Sequence, residues 1–142
     1  MRPSLLIVED EVVTALALED CLISMGYDVS GIASSGPEAV SKAIDLCSDL
    51  VLMDIYLDGR MDGIEAAREI QHHSDTPIIF LSALADEEVV RRAMEVGPSG
   101  YLIKPYREMQ LKLNIDIALN SARLKRAAKR DEEALRWSES IC

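Results

Sequence analysis

Four short apolar runs in this chain each end on a residue that can do chemistry. Val8 is followed by Glu9-Asp10-Glu11, Met53 by Asp54, Leu81 by Ser82 and Ile103 by Lys104. Three carboxylates held close together raise one another's proton affinity or call for a cation. Hard oxygen ligands with room for water suit Mg²⁺, which is commonly held by one or two carboxylates and completes its shell with water and phosphate oxygens. A lysine and a hydroxyl beside such a centre provide what phosphoryl transfer needs, which is positioning and charge neutralisation. Asp54 is the candidate nucleophile, because a carboxylate can form an acyl phosphate.

That chemistry requires the four positions to meet. The runs Leu5 to Val8, Leu50 to Met53, Ile78 to Leu81 and Tyr101 to Ile103 lack a polar alternation, as strands covered on both faces do. A fifth run, Tyr27 to Ile32, alternates more and contains Gly31, which suits an edge strand. Helical spacing fills the intervals. Ala15, Leu18, Leu22 and Met25 precede a stop at Gly26, and Ala39, Val40, Ala43, Ile44 and Cys47 follow the start Ser35-Gly36-Pro37. Ile64, Ala67 and Ile70, then Val89, Val90, Ala93 and Met94, form two more faces, and a last helix starts near Arg107. Five strand–helix units predict an α/β fold, a doubly wound parallel sheet with right-handed crossovers. In such a sheet the carboxyl ends of the strands share one edge, where ligands bind.

Composition agrees with a single folded unit. The 142 residues are 49% hydrophobic and 28% charged, enough for one core without disulfide or metal staples. Three scattered cysteines, Cys21, Cys47 and Cys142, have no zinc or disulfide-framework spacing. Only four apolar residues follow Ser4 before Glu9, too few for a signal peptide or a membrane span, so a cytoplasmic location is expected. The net charge of -10 argues against nucleic-acid contact by this region.

Taken singly, Asp10 or Ser82 reads as a helix N-cap, Lys104 as surface, and Asp54 as part of the turns made by Asp58-Gly59 and Asp62-Gly63. Four unrelated caps and turns have no reason to fall at one sheet edge in the order acidic pair, aspartate, serine, lysine. The His72-His73 pair reads as exposed surface. Met53, Met61 and Met94 read as core or loop packing.

Over residues 4–121 the chain resembles the receiver domain of two-component response regulators. The resemblance is carried by Leu6-Ile7-Val8-Glu9-Asp10-Glu11, Val51-Leu52-Met53-Asp54-Ile55, Met61-Asp62-Gly63-Ile64-Glu65-Ala66, Ile79-Phe80-Leu81-Ser82-Ala83 and Gly100-Tyr101-Leu102-Ile103-Lys104-Pro105, in order. It implies a flavodoxin-like (βα)5 fold with strand order 2-1-3-4-5. It also implies a switch that accepts a phosphoryl group on Asp54 from a histidine kinase or phosphotransfer protein, without independent substrate turnover. By the same likeness Asp10, Asp54 and the backbone carbonyl of Tyr56 would hold Mg²⁺, with Glu9 acting through water. Lys104 and Ser82 would contact phosphoryl oxygens, Ser82 and Tyr101 would form the switch pair, and the bond before Pro105 would be cis. The output face would comprise the Glu88 to Val96 helix, the Tyr101 strand and the last helix. The loop after Asp54 is one residue longer than the common pattern and lacks its proline, and Tyr56 and Leu84 occupy positions that tune phosphate lifetime in the family.

Beyond the receiver-like part, 122–142 are expected to form a helical linker or tail leading to an output or sensory domain. Residues 121–142 hold six basic and four acidic residues, against an acidic remainder. No glycine or proline interrupts helix-forming residues through Trp137, and Leu113, Ile117, Leu124, Ala128 and Leu135 keep a partial stripe broken by Asn120 and Asp131, compatible with a homodimeric helix. Trp137 is expected to pack against a partner or a further domain. The segment Glu133 to Ser140 is loosely similar to linkers preceding sensory PAS domains. Two other classes compete with the switch: a pseudo-receiver that binds partners without phosphate, and a small enzyme on the same fold. No phosphate-binding glycine loop is present, and Asp54-Ile55-Tyr56 lacks the second acid of a D-x-D phosphatase.

Overall fold

Why the apolar runs are unbroken is plain from the sheet they build. The computed structural model describes residues 2–83 and 86–141, with side chains to 138. Its strands are β1 (Ser4–Val8), β2 (Asp28–Ala33), β3 (Leu50–Asp54), β4 (Ile78–Ser82) and β5 (Gly100–Ile103), and its helices are α1 (Val12–Ser24), α2 (Gly36–Leu46), α3 (Gly63–His73), α4 (Glu87–Glu95) and α5 (Glu108–Ile141). All neighbouring strands are parallel, in the order β2-β1-β3-β4-β5. The flavodoxin-like topology expected from the sequence is therefore the one formed.

Successive side chains of a strand point to opposite faces, and here both faces are covered. Leu6, Val8, Val51, Met53, Ile78 and Phe80 pack with α2, α3 and α4. Leu5, Ile7, Leu50, Leu52, Ile79 and Leu81 pack with α1 and α5. Each such side chain contributes about 1.5–3 kcal/mol on leaving water, so β1, β3 and β4 are anchored from both sides.

Some side chains fall differently from their expected places. Met53 is fully buried and Met61 packs against the core, but Met94 is 47% exposed, because α4 buries only Ala93 completely. The α2 face is narrower than its pattern suggests. Ala39 and Ala43 are buried, while Ile44 is exposed and Cys47 ends the helix in a left-handed conformation. The edge strand β2 begins at Asp28 instead of Tyr27, and Tyr27 is buried, its hydroxyl bonded to Asp116 of α5.

Candidate functional site

Parallel strands end together, so Glu9, Asp10, Asp54, Ser82 and Lys104 arrive at one edge. Glu9 and Asp54 are buried, Asp10 is half-buried, and carboxylate oxygens of all three lie within 4.8 Å of one another. Lys104 faces this group, its Nζ 3.5 Å from Asp54 Oδ2 and 3.7 Å from Glu9 Oε2. Three acids against one ammonium leave the cluster short of positive charge. Burial first, then the hydrogen bond and charge of Asp54, raise the Glu9 carboxyl to about 8, with Lys104 only partly offsetting them. A divalent ion fits this donor set, since it would replace the proton and neutralise the carboxylates without disturbing the fold.

The surrounding backbone fixes the carboxylates. The Tyr56 N–H donates to Asp54 Oδ1 at 3.1 Å, and the Asp58 N–H donates to Asp10 Oδ2 at 3.2 Å. The loop after β3 thus closes over the cluster, leaving the Tyr56 side chain 44% exposed at its rim. Ser82 is fully buried at the end of β4, and its carbonyl accepts from the Lys104 N–H at 2.7 Å, tying the ends of β4 and β5 together. The Lys104-Pro105 bond is cis. Leu84 lies outside the described residues.

Neither cap reading survives. Glu11 occupies the N-cap of α1 with no side-chain cap bond, and Asp86 caps α4, so Asp10 and Ser82 are both released from that duty. Asp62, in contrast, is more than a turn residue. Its side chain accepts from the Glu65 N–H while the Glu65 side chain accepts from the Asp62 N–H, a reciprocal cap that starts α3. It also pairs with Arg92 of α4 at 3.3 Å. We expect Asp62→Ala to lower unfolding free energy by about 1 kcal/mol in urea titration, the usual worth of a cap, and a neutral result would deny the cap any role in holding α3.

Two neighbours of the site were missed in the sequence. Tyr106 packs close enough that its phenol, raised to about 12 chiefly by burial, also senses Cys21, Glu9 and Asp54. Gly63 lies against the Asp54 backbone, and its N–H donates to the Ile55 carbonyl at 2.8 Å. The first had no signal; the second could have been found from the D-x-x-E spacing of Asp62 and Glu65, which marks a helix start and was not read as one.

Tyr101 of β5 packs edge-on against Phe80, ring centroids 6.4 Å apart. Its hydroxyl is buried and has no hydrogen-bond partner among the described residues. An unsatisfied buried hydroxyl costs about 1–3 kcal/mol, so Tyr101→Phe is expected to raise the melting temperature. A drop instead would mean that the hydroxyl is bonded in solution.

Residues 5–116 match the response regulator receiver domain family. The chain belongs to that family. It is 38% identical over 118 residues to the transcriptional regulatory protein PdtaR of Mycobacterium tuberculosis, covering 83% of this chain and 57% of that protein. The chain thus spans a little over half the length of that curated relative. The signal receiver domain of a modulated diguanylate cyclase from Desulfovibrio desulfuricans G20 superposes with a TM-score of 0.83 at 41% identity, covering 88% of this chain and 99% of that one. The receiver domain of the sensor histidine kinase PA1611 from Pseudomonas aeruginosa, with magnesium coordinated in its active-site cleft, superposes at 0.76 with 31% identity, covering 84% and 99%. The chain is therefore a receiver domain of two-component systems, with an acidic cluster of the kind that binds Mg²⁺ in the family. Among the described residues no helix is long and apolar enough to cross a membrane.

Proposed function

We propose that this receiver is a phosphoacceptor switch whose acceptor is Asp54. The convergence of Glu9, Asp10 and Asp54 under Lys104 carries the reading. An Asp54 carboxylate oxygen forms the bond to phosphorus as the bond from phosphorus to a partner's phosphohistidine nitrogen breaks, and that nitrogen keeps the electron pair. Asp10, Asp54 and the Tyr56 carbonyl would hold Mg²⁺, with Glu9 acting through water. The ion supplies charge neutralisation for the transferring group. Lys104 meets one phosphoryl oxygen and Ser82 another.

The new group adds about 1.5 to 2 negative charges and three acceptor oxygens. It thereby favours the arrangement in which Ser82 and Lys104 lie closest to Asp54, and Tyr101 follows. Such a change is a shift between two populations, read by the α4-β5-α5 face. In this reading the chain is cytoplasmic, and its partners are a histidine kinase or phosphotransfer protein, a second copy of the chain through α4-β5-α5 and the C-terminal helix, and an output domain attached beyond the linker at 122–142.

Intact mass after incubation with Mg²⁺ and acetyl phosphate tests this directly. One phosphoryl adduct is expected, lost with EDTA and lost in Asp54→Ala. No adduct under conditions that label another receiver would overturn the acceptor assignment and leave a phosphate-independent interaction module.

A further inference from the structure

Helix α5 carries a stripe that the fold does not use. Leu113, Leu124 and Leu135 stand eleven residues apart, Ile117 and Ala128 repeat that interval, and Asn120 and Asp131 repeat it again. At about 100° per residue all seven fall within an arc of about 80°. The four large members are 53% to 62% exposed. Leu111, Ile115 and Ala118, which pack on the sheet, lie on the opposite side. The stripe is therefore the outer face of the helix.

Past Ala122 the inner face turns basic, with Lys125, Arg126, Lys129 and Arg130, and Lys129 Nζ lies 3.8 Å from Asp75 Oδ2. An apolar seam cannot continue there. From 123 to 138 every residue except Ala127 is exposed, so this stretch of helix is not held by packing on the domain. A helix without packing is marginal at about 12–15 residues. Ser121, Ala127 and Ala134 flank the stripe and let another backbone approach closely.

An eleven-residue repeat gives about 3.67 residues per turn, near that of a relaxed helix, so two such helices can lie together nearly straight. A stripe that repeats in this way is complementary to itself. In parallel register each leucine meets its own copy and Asn120 meets Asn120, a polar layer that sets register at a cost in stability, while the facing Asp131 carboxylates repel and add a further cost. An antiparallel pairing centred on Leu124 would instead set Asp131 against Ile117, a charge against an apolar side chain. Side by side from Leu113 to Leu135, the pair would bury on the order of 1,200 Å², the lower end of stable interfaces.

We propose that two copies of this chain pair through the outer face of α5 as a parallel, in-register two-helix coil on the eleven-residue stripe. The proposal deepens the homodimer reading above and rests on it, but on no step of phosphoryl transfer.

Sedimentation equilibrium of the full chain is expected to give twice the 15.7 kDa chain mass. Leu124→Glu should give the chain mass alone while still forming the phosphoryl adduct. Asp131→Leu should tighten the dimer at least about tenfold by removing the facing carboxylates. With Cys21, Cys47 and Cys142 replaced by serine, Leu135→Cys should cross-link to its own copy on oxidation. A dimer that survives Leu124→Glu would overturn the α5 seam but leave pairing through α4-β5-α5. A dimer that Leu124→Glu abolishes but Leu135→Cys does not cross-link would overturn the parallel register. A chain that stays monomeric, Asp131→Leu included, would overturn both the seam and the homodimer.

Discussion

Gly63→Ala should destabilise the protein by at least about 3 kcal/mol, a large share of the 5–15 kcal/mol that holds a small domain folded. A Cβ at this position would sit 2.0 Å from the Asp54 carbonyl oxygen, 2.8 Å from the Ile55 Cα and 2.9 Å from the Asp54 carbonyl carbon. All three are backbone atoms, so no side chain can turn aside. Relief requires α3 to move off the end of β3, which carries its reciprocal cap and the Gly63 N–H bond to Ile55 with it. Because the pressed carbonyl belongs to Asp54, weaker Mg²⁺ binding should accompany the loss. Gly59→Ala is the control. Gly59 has φ +102° with open space around it, so alanine there costs backbone strain alone, about 1 kcal/mol. Urea titration of both variants measures the difference, and equal losses would refute the close-approach argument.

In the metal-free protein, stability should fall as pH rises from about 4.5 to about 8. Glu9 has an ordinary value of 4.5 and is held at about 8 in the fold. Between these values the native state keeps a proton that the unfolded chain has released, so raising the pH favours unfolding. Below both values the two states bind equally and the penalty vanishes. The expected cost at pH 8 is at most about 4 kcal/mol, reduced by solvent screening at the open edge of the cluster. Glu9→Gln should flatten the slope and raise the metal-free melting temperature at pH 8. Mg²⁺ should protect wild type most at the alkaline end, where the carboxylates are free of the competing proton. Melting curves at several pH values with EDTA and with Mg²⁺ read this out. An unchanged slope in Glu9→Gln would remove Glu9 as its source.

Both predictions concern contacts that hydropathy could not foretell. Unbroken apolar runs at Leu5 to Val8, Leu50 to Met53 and Ile78 to Leu81 were enough to specify strands covered on both faces, since a half-solvated strand would have to alternate. The polar residues after them then had to share an edge, because parallel strands end together, and Glu9, Asp10, Asp54 and Lys104 do meet there. The helix faces were read less well. In α2 and α4 the buried arc narrows to small residues, Ala39, Ala43 and Ala93, and larger neighbours such as Ile44 and Met94 reach solvent. Periodicity reports which residues share a face but not how near the facing element comes.

What the sequence determined by itself was the order of elements and the identity of the residues at the sheet's carboxyl edge. Local hydrogen-bonding rules and the two-residue alternation of strands suffice for that. Tertiary structure alone decided that Gly63 presses on the Asp54 carbonyl, that Tyr101 buries its hydroxyl without a partner among the described residues and that burial beside Asp54 pushes the Glu9 carboxyl up. It also decided that the stripe on α5 faces away from the sheet. Each of these depends on the distance between segments remote in the chain, and such distances are set only when the layers pack.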